Sequence, residues 1–262
     1  MRAAWCDLVY SQSLLNLFSE PLSVARIKNH PHLETHTAGR GLLLRNIILG
    51  GQDGVVNVLG IVLGVATATS STSIVLLAGL AATFAESISM AAVAYTSSRA
   101  EAEHYYSEVK REQDEIDSIP HMERREIEEI YKAKGFEGKL LKDVVDKITS
   151  NNKVWLETMM QDELGLENPS ESMSPAYQSV LVGVSAIIGS LIPVAPFFFL
   201  PTSAAILPSL VVSFAVLFSI GAVKSSFTSG KWLNGGMELM IIGGTAALAG
   251  YLVGVLFQVP AA

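Results

Sequence analysis

The residues able to do chemistry fall into two groups, one inside long apolar runs and one outside them. The first group is small. Asp53 lies in Gly50-Gly-Gln-Asp-Gly54 and Glu86 in Ala85-Glu-Ser-Ile-Ser-Met90. A charged side chain at the centre of a bilayer costs about 2.5–3.5 kcal/mol on insertion scales, which makes each a functional candidate by default. Met90 follows Glu86 by one helical turn, placing a carboxylate and a thioether on one face. Asn57 stands in the same relation to Asp53. Together these residues fit a relay for cations or protons. The opposing reading makes Asp53 and Glu86 hydrogen-bonded packing residues and Met90 an ordinary core side chain.

The second group lies between Arg99 and Glu171. Glu101, Glu108, Glu112 and Glu115 form one stripe of a helix, because their spacings of 7, 4 and 3 follow its period. Glu123 and Glu126 are neighbours on a second helix, and Met159 and Met160 precede Glu163 by one turn on a third. Carboxylates facing one another are costly unless a cation lies between them. Oxygen donors suit hard or borderline divalent ions and thioethers favour softer ones, so a mixed set fits Fe²⁺ or a similar first-row ion better than Ca²⁺ or Mg²⁺. The alternative is a solvated acidic face, balanced by Lys110, Arg111, Arg124 and Arg125, with the methionines filling a core.

Two further histidine patterns carry less. Glu101-Ala-Glu-His104 matches the Glu-x-x-His element of di-iron bundles. Those bundles need a second copy, and His121 has Ser118 three residues before it. An oxidase is therefore disfavoured. His30, His32 and His36 fall in an N-terminal arm with Pro21 and Pro31, where a polar linker competes with a metal role.

The elements that must hold these residues follow from where charge is missing. The 262-residue chain is 50% hydrophobic and 16% charged, with a mean hydropathy of +0.39. Soluble domains carry about 25% charged residues. No charge occurs over 54–85, 172–223 or 239–262. At about 20 residues per crossing, these runs predict five spans, near 43–66, 74–96, 176–198, 205–224 and 236–257. Pro193 and Pro196 should kink or end the third, and Glu238 should open the fifth, where the helix dipole favours an acid.

With five spans, all 18 Lys and Arg fall on one side, which the positive-inside rule makes cytoplasmic. That side holds the N-terminus and residues 97–173, with 19 acidic and 11 basic residues. The opposite side holds two short turns, at 67–72 and 200–203, and the C-terminus. The acidic segment continues the second span as a stalk to Pro120, followed by helices over His121–Lys134 and Lys139–Leu164, closed by Gly135 and Gly165. The fold class is an all-α integral membrane protein with five transmembrane helices and a three-helix cytoplasmic bundle between spans 2 and 3. The organisation is an arm over 1–40, spans 1 and 2 over 41–96, the acidic bundle over 97–173, and spans 3 to 5 over 174–262. Gly60-x-x-x-Gly64 and Gly250-x-x-x-Gly254 permit close helix contacts, within the bundle or across a dimer. The single Cys6 leaves no internal disulfide, no convincing signal peptide opens the chain, and its acidity gives no footprint for nucleic acid.

Four motifs then stand in order: Asp53-Gly-Val, Ser87-Ile-Ser-Met90, Lys110-Arg-Glu-Gln-x-Glu-Ile116 and Trp155-Leu-x-x-Met-Met-x-x-Glu-Leu-Gly-Leu166. Over about residues 40–258 the chain resembles the vacuolar iron transporter family. The resemblance implies a five-span homodimer that moves Fe²⁺ or Mn²⁺ out of the cytosol by proton antiport, after capture by a cytoplasmic Glu/Met bundle. It puts the bundle ligands on Glu112, Glu115, Glu123, Glu126, Met159, Met160 and Glu163, and the pathway on Asp53 and Met90, to which the residues themselves add Glu86. One departure stands out. Plant-like members of that family have a carboxylate two turns before the methionine, where this chain has Ala82. Fe²⁺ or Mn²⁺ is cargo here, with no cofactor. The host membrane would be the cell membrane in a prokaryote and the vacuolar membrane in a eukaryote. The alternative function is a membrane-anchored acidic bundle that docks a protein partner without transport.

Overall fold

The computed structural model describes residues 37–169, 173–228 and 230–258. The calls on His30, His32, His36 and Cys6 lie outside them. All regular structure among the described residues is helical. Helix α1 spans Thr37–Ala68, and α2 runs unbroken over Thr72–Ser118. At 1.5 Å per residue α2 is about 70 Å long, more than twice a hydrocarbon core of about 30 Å. The second span therefore continues outward as the stalk, with no Pro or Gly between Gly79 and Ser118 to stop it. Three short helices follow: α3 (Pro120–Ala133), α4 (Gly138–Thr149) and α5 (Asn152–Thr158), the last passing into a π-helical turn over Met159–Glu163. The remaining helices are α6 (Pro175–Val194), ending in a 3₁₀ turn at Ala195–Phe198, then α7 (Thr202–Thr228) and α8 (Trp232–Leu256).

Five of these helices are long and apolar enough to cross a membrane: α1, α2, α6, α7 and α8. Their order and number are those read from the charge-free runs. The two short connections lie at one end, where the Thr72 and Thr202 hydroxyls meet at 2.9 Å. Gln258 lines the same pocket as Thr69 and Pro201, so the uncharged turns and the end of α8 share one end of the helical array.

Span packing depends on missing side chains. A Cβ on Gly54 would collide with the Ala186 carbonyl of α6, next to Asp53. A Cβ on Gly250 would collide with the Gly60 carbonyl, and one on Gly64 would lie 2.9 Å from the Gly250 carbonyl. The two small-residue motifs thus interlock α1 with α8 inside one chain. Of the two uses open to them in the sequence, this is the intrachain one.

Two expectations change. The helix expected over Lys139–Leu164 is broken at Ser150-Asn151, where the Asn151 side chain accepts from the backbone N–H groups of Lys153 and Val154 and caps α5. It then loosens into the π turn, closed by the Leu164 N–H on the Met159 carbonyl. The bundle is therefore the stalk end, α3, α4 and an α5–π segment. Glu238 does not open the fifth span: α8 starts at Trp232, so Glu238 lies nearly two turns inside, on an exposed face. Trp232 and Asn234 extend the helix without adding to the apolar run. By contrast, Gly135 terminates α3 as read, with φ +91°. Its N–H reaches the Lys132 carbonyl and that of Phe136 reaches Tyr131, with the Tyr131 and Phe136 rings 5.6 Å apart, a Schellman closure.

Candidate metal centre

The bundle core is apolar: Ile116 from α2, Ile127 from α3, Leu141, Val145 and Ile148 from α4, and Trp155 and Met159. The faces that bring Ile116 of α2 and Ile127 of α3 into this core also carry Glu112 and Glu123, each one turn before its apolar neighbour. Glu112 is 1% exposed and Glu123 is 2% exposed. One carboxylate oxygen each from Glu112, Glu115 and Glu123 can be chosen so that all three lie within 4.8 Å of one another. One Glu123 oxygen, Oε2, is buried and accepts no hydrogen bond from any described residue. A buried charged oxygen without a donor is costly, so this arrangement calls for a cation or a proton.

Glu126 and Glu163 complete the ring of charge. Burial first, then Glu126, Glu112 and the other acids, push the Glu123 carboxyl up to about 7. Glu163 is pushed to about 7 by burial and then by Glu126 and Glu112, with Arg111 opposing. Glu126 is raised by burial and by Glu112 and Glu115. The five acids therefore share one field.

The π turn packs against both α2 and α3. It buries Met159 and Met160 at 0% and 1% exposure. Met159 sits in the apolar core, whereas Met160, equally buried, lies outside that cluster. A π turn gains one residue per turn, and such turns recur at functional sites. Lys134 anchors this one, 2.5 Å from Asp162 and over the Tyr131 ring at 4.7 Å.

All seven bundle residues singled out in the sequence are thus on three adjoining pieces of helix. Glu101 of the same stripe is exposed, and His104 faces outward with only Glu108 at 3.8 Å. Two residues were undervalued. Arg111, read as a solvated counter-charge, lies 2.6 Å from Glu108, 2.9 Å from Glu112 and 4.0 Å from Glu115. Its i,i+3 and i,i+4 spacings to Glu108 and Glu115 were the available signal.

In the spans, Asp53 on α1 and Glu86 on α2 lie near enough to interact electrostatically. Asn57 is the second undervalued residue, since its amide donates to Glu86 Oε1 at 2.7 Å. Met90 is half-buried one turn along α2. Asn57 is itself exposed on the outer surface of the chain, so this polar group opens sideways rather than into a closed core. Ala82 packs beside the apolar cluster of Val58, Val62 and Val75.

Residues 44–255 match the sequence profile of the VIT family. The chain is 37% identical over 225 residues to Vacuolar iron transporter 1 of Oryza sativa subsp. japonica, covering 85% of this chain and 88% of that protein. It is 35% identical over 251 residues to Vacuolar iron transporter 1 of Arabidopsis thaliana, covering 92% and 99%. It is 32% identical over 236 residues to the Vacuolar iron transporter of Toxoplasma gondii, covering 87% and 78%.

Proposed function

The chain belongs to the VIT family, and on that premise we propose that it exports divalent metal, Fe²⁺ or Mn²⁺, from the cytosol as a multi-pass membrane transporter. The bundle captures the ion. Glu112, Glu115 and Glu123 supply oxygen ligands, Glu126 and Glu163 add charge and further oxygens, and Met160 with Met159 supplies thioether sulfur, which tilts selection from Mg²⁺ and Ca²⁺ toward Fe²⁺. The observation that carries the reading is the buried meeting of Glu112, Glu115 and Glu123, with an oxygen of Glu123 lacking any donor among the described residues.

From the bundle the ion passes to Asp53, Glu86 and Met90. Two carboxyl groups held together in an apolar layer are satisfied by one cation or by protons, and exchange of one for the other is proton antiport. Asn57 holds Glu86 while the occupant changes. The opening of this group on the outer surface supports a homodimer that encloses it, because a polar group facing lipid needs a partner. The charged end is cytoplasmic in this reading, and the host membrane is the vacuolar one in a eukaryote or the cell membrane in a prokaryote.

Docking of a basic protein is not favoured. A docking face presents its carboxylates to solvent, and Glu112 and Glu123 are turned inward. The test is Mn²⁺ uptake into proteoliposomes. Asp53→Ala and Met90→Ala should each lower flux at least tenfold, and unchanged flux in both removes the pathway assignment.

A further inference from the structure

We propose that Arg111 is a built-in counter-cation that competes with the metal for Glu112 and so sets how tightly the bundle holds its ion. The inference rests on the metal-binding reading of the bundle. Arg111 forks between two carboxylates. One arm, Nη1, is 2.6 Å from Glu108 Oε2, and the other, Nη2, is 2.9 Å from Glu112 Oε1. Its Nε faces Glu115 Oε1 at 4.0 Å. Glu112 and Glu115 belong to the candidate ligand set and Glu108 does not.

The exposures of these side chains are unequal, and that inequality gives the pair its use. The Glu112 side chain is 2% exposed and that of Arg111 is 50% exposed. Glu112 is fixed in the bundle, while the guanidinium can swing into water at little desolvation cost. A divalent ion arriving on Glu112 takes the lone pairs that Nη2 engages and repels the guanidinium across a few ångströms. Glu108 then keeps Arg111 on the stalk. Binding thus exchanges a tethered single charge for a double one, which lowers affinity and eases onward release.

A merely structural Arg111 would brace the stalk through its i,i+3 and i,i+4 pairs. The two roles differ in sign. Loss of a brace leaves metal binding weaker or unchanged, whereas loss of a competitor makes it tighter. The experiment is Mn²⁺ titration calorimetry on the full-length chain in detergent, with helicity followed by circular dichroism. Arg111→Gln should tighten Mn²⁺ binding about tenfold. Glu108→Gln removes the partner outside the ligand set, leaves Arg111 to Glu112 and Glu115, and should weaken binding several-fold. Opposite shifts in the two variants support the proposal. Unchanged or weaker binding by a fully helical Arg111→Gln overturns it, as does unchanged binding by Glu108→Gln where Arg111→Gln fails to fold. Absence of Mn²⁺ binding by the unsubstituted chain overturns the bundle reading itself and this proposal with it.

Discussion

At Glu123 a buried carboxylate meets the field of four others, from α2, α3 and the π turn, and one of its oxygens finds no donor among the described residues. Glu123→Gln keeps the shape and removes the charge. It should weaken Mn²⁺ binding at least tenfold, about 1.4 kcal/mol, with helicity unchanged, as calorimetry and circular dichroism would show. A ligand carboxylate must shed its proton before it binds metal. With Glu123 and Glu163 both pushed to about 7, affinity should rise steeply between pH 6 and pH 8. A flat affinity over that range would mean that neither acid is a ligand. The nearness of Glu112, Glu115 and Glu123 was legible because residue type and helical period carry through into α2 and α3, whereas Met159, Met160 and Glu163 stand on a π turn that the α period does not describe. Arg111 and Asn57 were only half legible. A sequence places a charge or an amide on a face but leaves open which partner across the bundle it meets.

Helices set what each residue can reach. The long α2 carries Glu86 and Met90 within the span and Glu112 and Glu115 on the stalk, so one rigid element joins the two candidate sites. Proton linkage follows from the bundle acids. In the unfolded chain Glu123 and Glu163 titrate near 4.5, and in the fold near 7. Between those values the folded bundle holds more protons, so stability is lost as pH rises through the window. In chelator, the bundle's thermal midpoint should fall from pH 5 to pH 7.5, and added Mn²⁺ should restore it at pH 7.5. A midpoint that rises with pH would contradict the placement of these acids. Packing of the spans gives a second test. Gly250→Ala drives a methyl into the Gly60 carbonyl and should destabilise by about 1–3 kcal/mol, read as a lower melting temperature in detergent.

The spans were legible because some twenty consecutive apolar residues make a signal that no local detail cancels. Their ends were not. Trp232 and Asn234 are polar enough to fall outside the apolar run, yet they belong to α8. The break at Ser150-Asn151 was hidden for a different reason. No glycine or proline marks it, and the cap depends on an asparagine that is equally at home on a helix surface. A π turn has no compositional mark at all, since it differs from an α turn only in which carbonyl each N–H chooses.

For the whole molecule, the sorting of charge and the position of the few exceptions point the same way. In the five-span reading the acidic bundle and every Lys and Arg lie at or beyond one end of the spans, and the turns at the other end carry no charge. Asp53, Glu86 and Glu238 are the only acids within the crossing segments of that reading, and the first two interact electrostatically. In the proposed reading, metal entering from the bundle side passes that pair. The most direct measurement is Fe²⁺ or Mn²⁺ flux in proteoliposomes holding the full-length chain, with and without an imposed pH gradient. Flux should rise severalfold when the compartment receiving metal is acidic, and Asp53→Ala should abolish both the flux and the accompanying proton movement. Metal flux indifferent to the gradient, or intact in Asp53→Ala, would contradict exchange of metal for protons at the Asp53–Glu86 pair.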